Sequence, residues 1–256
     1  MRILLTNDDG IRAEGLHALR RACLAAGHRV WTVAPDRERS GSGHAITLES
    51  PLYVEEVSFH DGGPVGYSVS GTPADCAKLA IRAICEEPPD LVLSGINRGP
   101  NLGTDVFYSG TVSAAIEAII LGVPAVALSL CGYENLDYRY AAAYAVRLAA
   151  MIAERGVPEH ALLNVNFPAI DHDRIRGTAV TRLGERRYRN VFERRIDDSE
   201  RAYYCLLEES LDHRDEPVTD VWAIGRGLVS LTPVRIDLTD HGLLQTLSPW
   251  ATALSQ

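Results

Sequence analysis

Along the first two-thirds of the chain the apolar positions switch repeatedly between runs that suit strands and stripes that suit helices. Ile3-Leu4-Leu5 is an unbroken apolar run and predicts a buried strand over residues 2–6. Leu16 to Ala26 carries apolar residues at helical spacing and ends at Gly27, a helix with its stop. RVWTVAP (29–35) predicts the next strand, and the polar loop DRERSGSGHAITL (36–48) follows it. PLYVEEV and GYSVS, with His60-Asp61-Gly62-Gly63-Pro64 between them, predict a hairpin-like excursion. Thr72 caps a helix with Pro73 at its first position. DLVLSG (90–95) predicts a strand, a Gly/Asn-rich loop runs over 95–110, and a helix covers about 111–121. A strand at VPAVALS, a helix over 137–154 and a strand at ALLNVNFP (161–168) complete the series. This alternation predicts an α/β fold: a Rossmann-like, doubly wound, mainly parallel sheet.

After about residue 175 the rhythm is lost. GERRYRNVFERRIDDSERAYY (184–204) is dense in charge and aromatics, has no helical stripe, and predicts an extended arm or hairpin. WAIGRGLVSLTPV (222–234) predicts a strand and 236–255 a tail. The expected division is a catalytic core over 1–180, a projecting hairpin used for oligomerisation over 181–235, and a C-terminal tail over 236–256. A charged arm projecting from a monomer is entropically costly to order, which favours its use between subunits.

Composition narrows the function. With 256 residues, 46% of them hydrophobic, the chain is long enough to bury one large core. The most apolar segment, IEAIILGVPAVALSL (116–130), is interrupted by Glu117, Gly122 and Pro124, so it reads as a helix followed by a strand and not as a membrane span. The apolar stretch after Met1 is too short for a signal peptide. Five scattered cysteines without a CxxC pair fit free thiols in a reducing cytoplasm. The net charge of −9 opposes binding to nucleic-acid polymers or anionic membranes. Any anionic substrate therefore needs a local positive charge. Lys78 is the sole lysine, so there is no P-loop and no other lysine that forms a Schiff base.

Four polar segments fall at expected strand ends, where doubly wound folds bind ligands. They hold Asn7-Asp8-Asp9-Gly10, Arg39-Ser40-Gly41, Ser94-Gly95-Ile96-Asn97 and Tyr108-Ser109-Gly110-Thr111. Two carboxylates about 4 Å apart repel by roughly 4 kcal/mol at an effective dielectric of about 20, so Asp8 and Asp9 need water, a proton or a cation between them. Together with a hydroxyl such as Ser40 and a carboxamide oxygen such as Asn97 they make an all-oxygen set. That suits Mg²⁺, Mn²⁺ or Ca²⁺ and not zinc. The plainer reading of Asp-Gly is a turn with Asp8 as a helix cap. Ser109-Gly110-Thr111 opens a helix, whose unpaired N–H groups attract phosphate, and capping by Ser109 or Thr111 is compatible with that. Asn97 and Asn101 also fit simple turns, Arg37, Arg39 and Arg98 read as solvated, and His44 reads as an ordinary loop histidine. GSGHAI (41–46) fails as a dinucleotide fingerprint at Ile46, and neither GxSxG nor HExxH occurs.

Taken together, MRILLTNDDGI, VAPDRERSG, SGTPADC, SGINRGPNLGTDVFYSGTVSAA and the late DLTDH resemble the SurE family of survival-protein nucleotidases. The resemblance spans nearly the whole chain. It implies a divalent-metal-dependent phosphatase acting on nucleoside 5′-monophosphates, with 3′-nucleotides and short polyphosphate as further substrates in some members. It implies one divalent cation per subunit, Mg²⁺ or Mn²⁺ foremost, on Asp8, Asp9, Ser40 and Asn97. It also implies a homodimer or homotetramer built through the C-terminal arm and a swapped tail. On this reading Asp8 and Asp9 are the catalytic pair, Asp9 also orients the attacking water, and Asn97, Ser109, Gly110 and Thr111 bind the phosphate. Two rivals are a non-catalytic nucleotide sensor and a zinc deacetylase-like hydrolase. The latter needs histidine ligands that neither His28 nor His44 is placed to give.

Overall fold

A computed structural model describes residues 1–156, 160–186, 188–210 and 216–255. In chain order the elements are β1 (Arg2–Thr6), α1 (Glu14–Ala25), β2 (Arg29–Pro35), β3 (Val54–Val57), β4 (Gly66–Val69), α2 (Pro73–Leu79), β5 (Leu91–Arg98), α3 (Gly110–Ile120), β6 (Ala125–Cys131), α4 (Arg139–Arg155) and β7 (Ala161–Pro168). There follow β8 (Thr178–Val180), β9 (Tyr188–Ile196), β10 (Ala202–Ser210), α5 (Asp220–Gly225), β11 (Val229–Arg235) and α6 (His241–Leu254).

Nine strands form one sheet in the order β3-β4-β2-β1-β5-β6-β7-β11-β8. The six from β4 to β7 run parallel, while β3 is antiparallel to β4 and β11 antiparallel to β7. From β1 the chain builds outward through β2, then crosses back to place β5 on the other flank of β1. The carboxyl ends of β1 and β5 therefore flank the point where strand order reverses, which is where such sheets bind ligands. Asp8, Asp9 and Asn97 lie at those two ends.

Period-two alternation sends side chains of each strand to opposite faces, and both faces are covered. Ile3, Leu5, Leu91 and Leu93 pack under α1 and α4, through Leu16, Leu19, Ala145 and Ala149. Leu4, Val33, Val92 and Ala127 pack under α2 and α3, through Cys76, Val112, Ala115 and Ala118. Small residues on α3 let it lie close to the sheet. The expected cap of α2 is present, as a box in which Thr72 and Asp75 each bond the other's backbone amide.

The last third meets expectation in its arm and departs from it further on. The arm is a hairpin, β9 paired antiparallel with β10 and separate from the main sheet. The strand expected over 222–234 is instead α5, capped by the Thr219 side chain, followed by β11. Because β11 inserts between β7 and β8, only the hairpin part of the expected projecting region stands apart from the main sheet. The expected tail contains α6, none of whose side chains is buried. Among the described residues, no helix is long and apolar enough to cross a membrane.

Candidate active site

The turn after β1 is locked by Asn7, whose Nδ2 donates to the Gly10 carbonyl (3.0 Å) while its Oδ1 accepts from the Gly10 amide (3.2 Å). Gly10 has φ +100°, and a Cβ there would meet the Arg37 carbonyl carbon at 3.1 Å, so glycine alone fits this turn without strain. The result places two successive aspartates at the sheet rim, Asp8 buried and Asp9 half-buried.

Three contacts draw the other loops to this pair. The Arg39 amide donates to the Asp8 carbonyl (2.8 Å), which seats the 36–48 loop. The Arg98 amide donates to Asp9 Oδ2 (2.9 Å), which seats the end of β5. The Thr111 hydroxyl donates to Asp8 Oδ1, which seats the start of α3. Beside it, a Cβ on Gly110 would lie 2.7 Å from Asp8 Cβ and 2.9 Å from its Oδ2. All four segments singled out in the sequence therefore meet at one place.

Their side chains are engaged as follows. Ser109 is buried and caps α3, its Oγ accepting from the Val112 amide at 3.1 Å, so the capping reading holds. Thr111 bonds Asp8, leaving Gly110 and the helix start closest to the carboxylate. Asn97 is half-buried beside a register shift between β5 and β6, and its Nδ2 donates to the Gly99 carbonyl (3.0 Å). That fixes its carboxamide by the nitrogen. Ser40 is exposed, with its hydroxyl donating to Glu38 Oε1 (2.7 Å). Burial raises the Asp8 carboxyl above its ordinary range. Burial, then the neighbouring Asp8 charge, pushes Asp9 up to about 6. Neither aspartate has an ion pair among the described residues, and no group of three or more His, Cys, Asp and Glu residues there has metal-holding geometry. Two desolvated carboxylates with neutral oxygens nearby match a hard divalent cation, not a histidine-cysteine metal site.

Several residues prove more engaged than the sequence suggested. Arg39 is not solvated: its guanidinium donates to the Ser70 carbonyl (2.6 Å) and Asp36 (3.1 Å). Arg37 remains exposed. Asn101 is no simple turn residue. Its Nδ2 donates to Ser129 Oγ (2.8 Å), its amide to Asn166 Oδ1 (2.9 Å), and its carbonyl accepts from Asn164 and Asn166. This buried network props the loop between Asn97 and Ser109 from below. From the side, Asp220 accepts from the amides of Gly103 (2.7 Å) and Gly184 (2.8 Å), so the start of α5 buttresses the same loop. His44 also has a partner, since its Nε2 lies 2.9 Å from Glu117 Oε2 on α3 while Lys78 donates to Oε1 (2.9 Å). Asp75 holds Thr47 through its amide (2.9 Å) and hydroxyl (2.7 Å). Apart from the Arg39–Asp36 contact, no local pattern reveals these links, because each joins positions distant in sequence.

Beyond Asp9 a cavity of about 310 Å³ opens, lined among others by Glu14, Glu38, Arg98, Tyr133 and Tyr138.

A family model described as "Survival protein SurE" matches residues 3–190. A protein named 5′-nucleotidase SurE from Pelotomaculum thermopropionicum is 51% identical over 248 residues, covering 96% of this chain and 94% of its own length. Its namesake from Heliobacterium modesticaldum is 49% identical over 250 residues, covering 98% and 92%. The crystal structure of the SurE protein from Aquifex aeolicus superposes with a TM-score of 0.85 at 42% identity, covering 97% of this chain and 99% of that one.

Proposed function

This chain belongs to the Survival protein SurE family, and from that membership we propose that it is a 5′-nucleotidase, a divalent-metal-dependent phosphatase releasing phosphate from nucleoside 5′-monophosphates. The observation that carries this reading is the seat of Asp8, a buried carboxylate pressed against Gly110 and Thr111 at the start of α3. It sets a cation-binding carboxylate beside a helix end that attracts phosphate.

Asp8, Asp9, Ser40 and Asn97 would hold one Mg²⁺ or Mn²⁺, which when bound neutralises the carboxylates, polarises the phosphoryl group and acidifies water. The chain's own residues do the rest. Thr111 fixes the orientation of Asp8 through Oδ1. Asp9 is held at Oδ2 by the Arg98 amide and keeps Oδ1 to orient the attacking water. Ser109, Gly110 and Asn97 present N–H and O–H groups to the phosphoryl oxygens, where negative charge builds during transfer, and Thr111, whose hydroxyl is given to Asp8, completes the phosphate-binding turn beside them. The same groups recognise any terminal phosphate, so 3′-nucleotides and short polyphosphate fall within this reading.

Two further features belong to the proposal. The exposed Leu243, Leu244, Leu247, Trp250 and Leu254 of α6, with Phe192, Ile196, Leu206 and Leu207 on the hairpin, are the apolar surface of a homodimer or homotetramer. The five free cysteines support a cytoplasmic location.

Phosphate release from AMP with added Mn²⁺, abolished by EDTA, tests the reading. Asp8→Asn should keep the fold and lose most of this activity. A protein that binds AMP and releases no phosphate is a sensor, and the proposal then fails.

A further inference from the structure

The cavity next to Asp9 has a wall that the phosphate chemistry leaves unexplained. Tyr133 follows β6 and is 69% exposed, yet its ring is set firmly against the end of β5. A Cβ on Gly99 would lie 2.8 Å from Tyr133 Cε1 and 3.2 Å from its Cζ and hydroxyl oxygen. Gly99 (φ +115°) thus combines a left-handed backbone with the space the ring occupies. It stands one residue after Arg98, whose amide holds Asp9. The ring and the carboxylate pair are therefore tied to the same few residues of backbone. Between them lies the cavity of about 310 Å³, rimmed by the carboxylates of Glu14 and Glu38 and by Arg98.

Resting on the nucleotidase reading, we propose that this cavity takes the nucleoside half of the substrate, with the Tyr133 ring as the stacking surface for the base. A phosphate seated at Asp8, Asp9 and the start of α3 points its ester oxygen away from the helix end, and the cavity that shares Asp9 is the adjoining space. Its rim suits a neutral polyol: Glu14 and Glu38 accept hydrogen bonds from sugar hydroxyls. Stacking on one aromatic face is tolerant of base identity, because every base has a π-face. Tyr133 thereby confers a preference for nucleotides over other phosphate esters without selecting one base, and it favours purines by their larger overlap.

The test compares AMP with ribose 5-phosphate, which has the ester and sugar but no base, using the full-length Mn²⁺-loaded enzyme and its Tyr133→Ala, Tyr133→Leu and Tyr133→Phe variants. Tyr133→Ala should raise KM for AMP about tenfold. KM for ribose 5-phosphate and kcat for both substrates should stay within about twofold, and Tyr133→Phe should behave as wild type. If Tyr133→Ala does not fold, Tyr133→Leu, which keeps apolar bulk without a ring face, gives the same comparison. Equal effects on the two substrates, or none on either, overturn the assignment of the base to Tyr133 while leaving the nucleotidase reading intact. Failure of the wild type to hydrolyse either ester overturns the nucleotidase reading, and this one with it.

Discussion

Gly110 and Asp8 touch so closely that no side chain fits between them: a methyl group on Gly110 would stand 2.7 Å from Asp8 Cβ, 2.9 Å from its Oδ2 and 3.0 Å from Pro73 Cγ. The glycine therefore sets how near the α3 terminus comes to the carboxylate. Gly110→Ala should leave a folded protein in which Asp8 or α3 has shifted by several tenths of an ångström. Displacements of about 1 Å at a reacting centre cost on the order of 100-fold. The expected outcome is a loss of kcat/KM for AMP of about 10- to 100-fold with little change in Tm. An alanine variant as active as wild type would show that this contact does not set the site.

The loop bearing Ser40 is held at a distance by His44. Its imidazole reaches the buried Glu117, and a second clasp joins Thr47 to Asp75. Removing the imidazole with His44→Ala leaves Lys78 paired with Glu117, so the core keeps its ion pair. The loop then loses one of its anchors, and Ser40 becomes less precisely placed. The Mn²⁺ concentration giving half-maximal activity should rise about tenfold, in the lower range for residues that support metal ligands from behind. Maximal activity at saturating metal should change much less. An unaltered metal titration would mean that the remaining anchors suffice to place Ser40.

What the sequence discloses and what it withholds follow from the range of the interactions. β1, α1 and α3 are legible because their signals are local: an apolar run, a helical stripe, a glycine stop and a serine cap. The convergence of the four loops is legible too, since strand ends in a doubly wound sheet share one edge. α5 escapes because six residues are too few for a helical stripe, and its apolar residues run on into the strand-like stretch that follows. α6 escapes because Pro249 interrupts its pattern and none of its side chains is buried to reveal a core-facing stripe. Asn101 and His44 look like loop residues until Asn164, Asn166 and Glu117 are brought to them by the fold. Their roles depend on pairings across tens of residues, and no periodicity encodes those.

The fold also carries a pH signature far from the active site. Arg20 on α1 is fully buried, donating to Asp61 from Nε (2.9 Å) and Nη2 (3.3 Å), to Thr32 Oγ1 (3.0 Å) and to the Pro64 carbonyl (2.6 Å), and its guanidinium lies 4.1 Å from the Phe59 ring centroid. Burial alone would raise the Asp61 carboxyl, but the hydrogen bonds and charge of Arg20, with the Gly63 amide, outweigh it and hold the carboxyl below its ordinary value. A carboxyl depressed by folding adds stability that is present above its unfolded pKa of about 3.9 and lost as pH falls through the lower folded value. Asp61→Ala leaves the buried guanidinium without its counter-charge, which should cost about 3 kcal/mol near neutral pH. Measured by urea unfolding, the gap between wild type and Asp61→Ala should be constant from about pH 5 to 8 and narrow below about pH 4, as wild-type Asp61 takes up its proton. A gap that widens in acid, or one absent at neutral pH, would mean that the remaining partners of Arg20 hold it without the carboxylate.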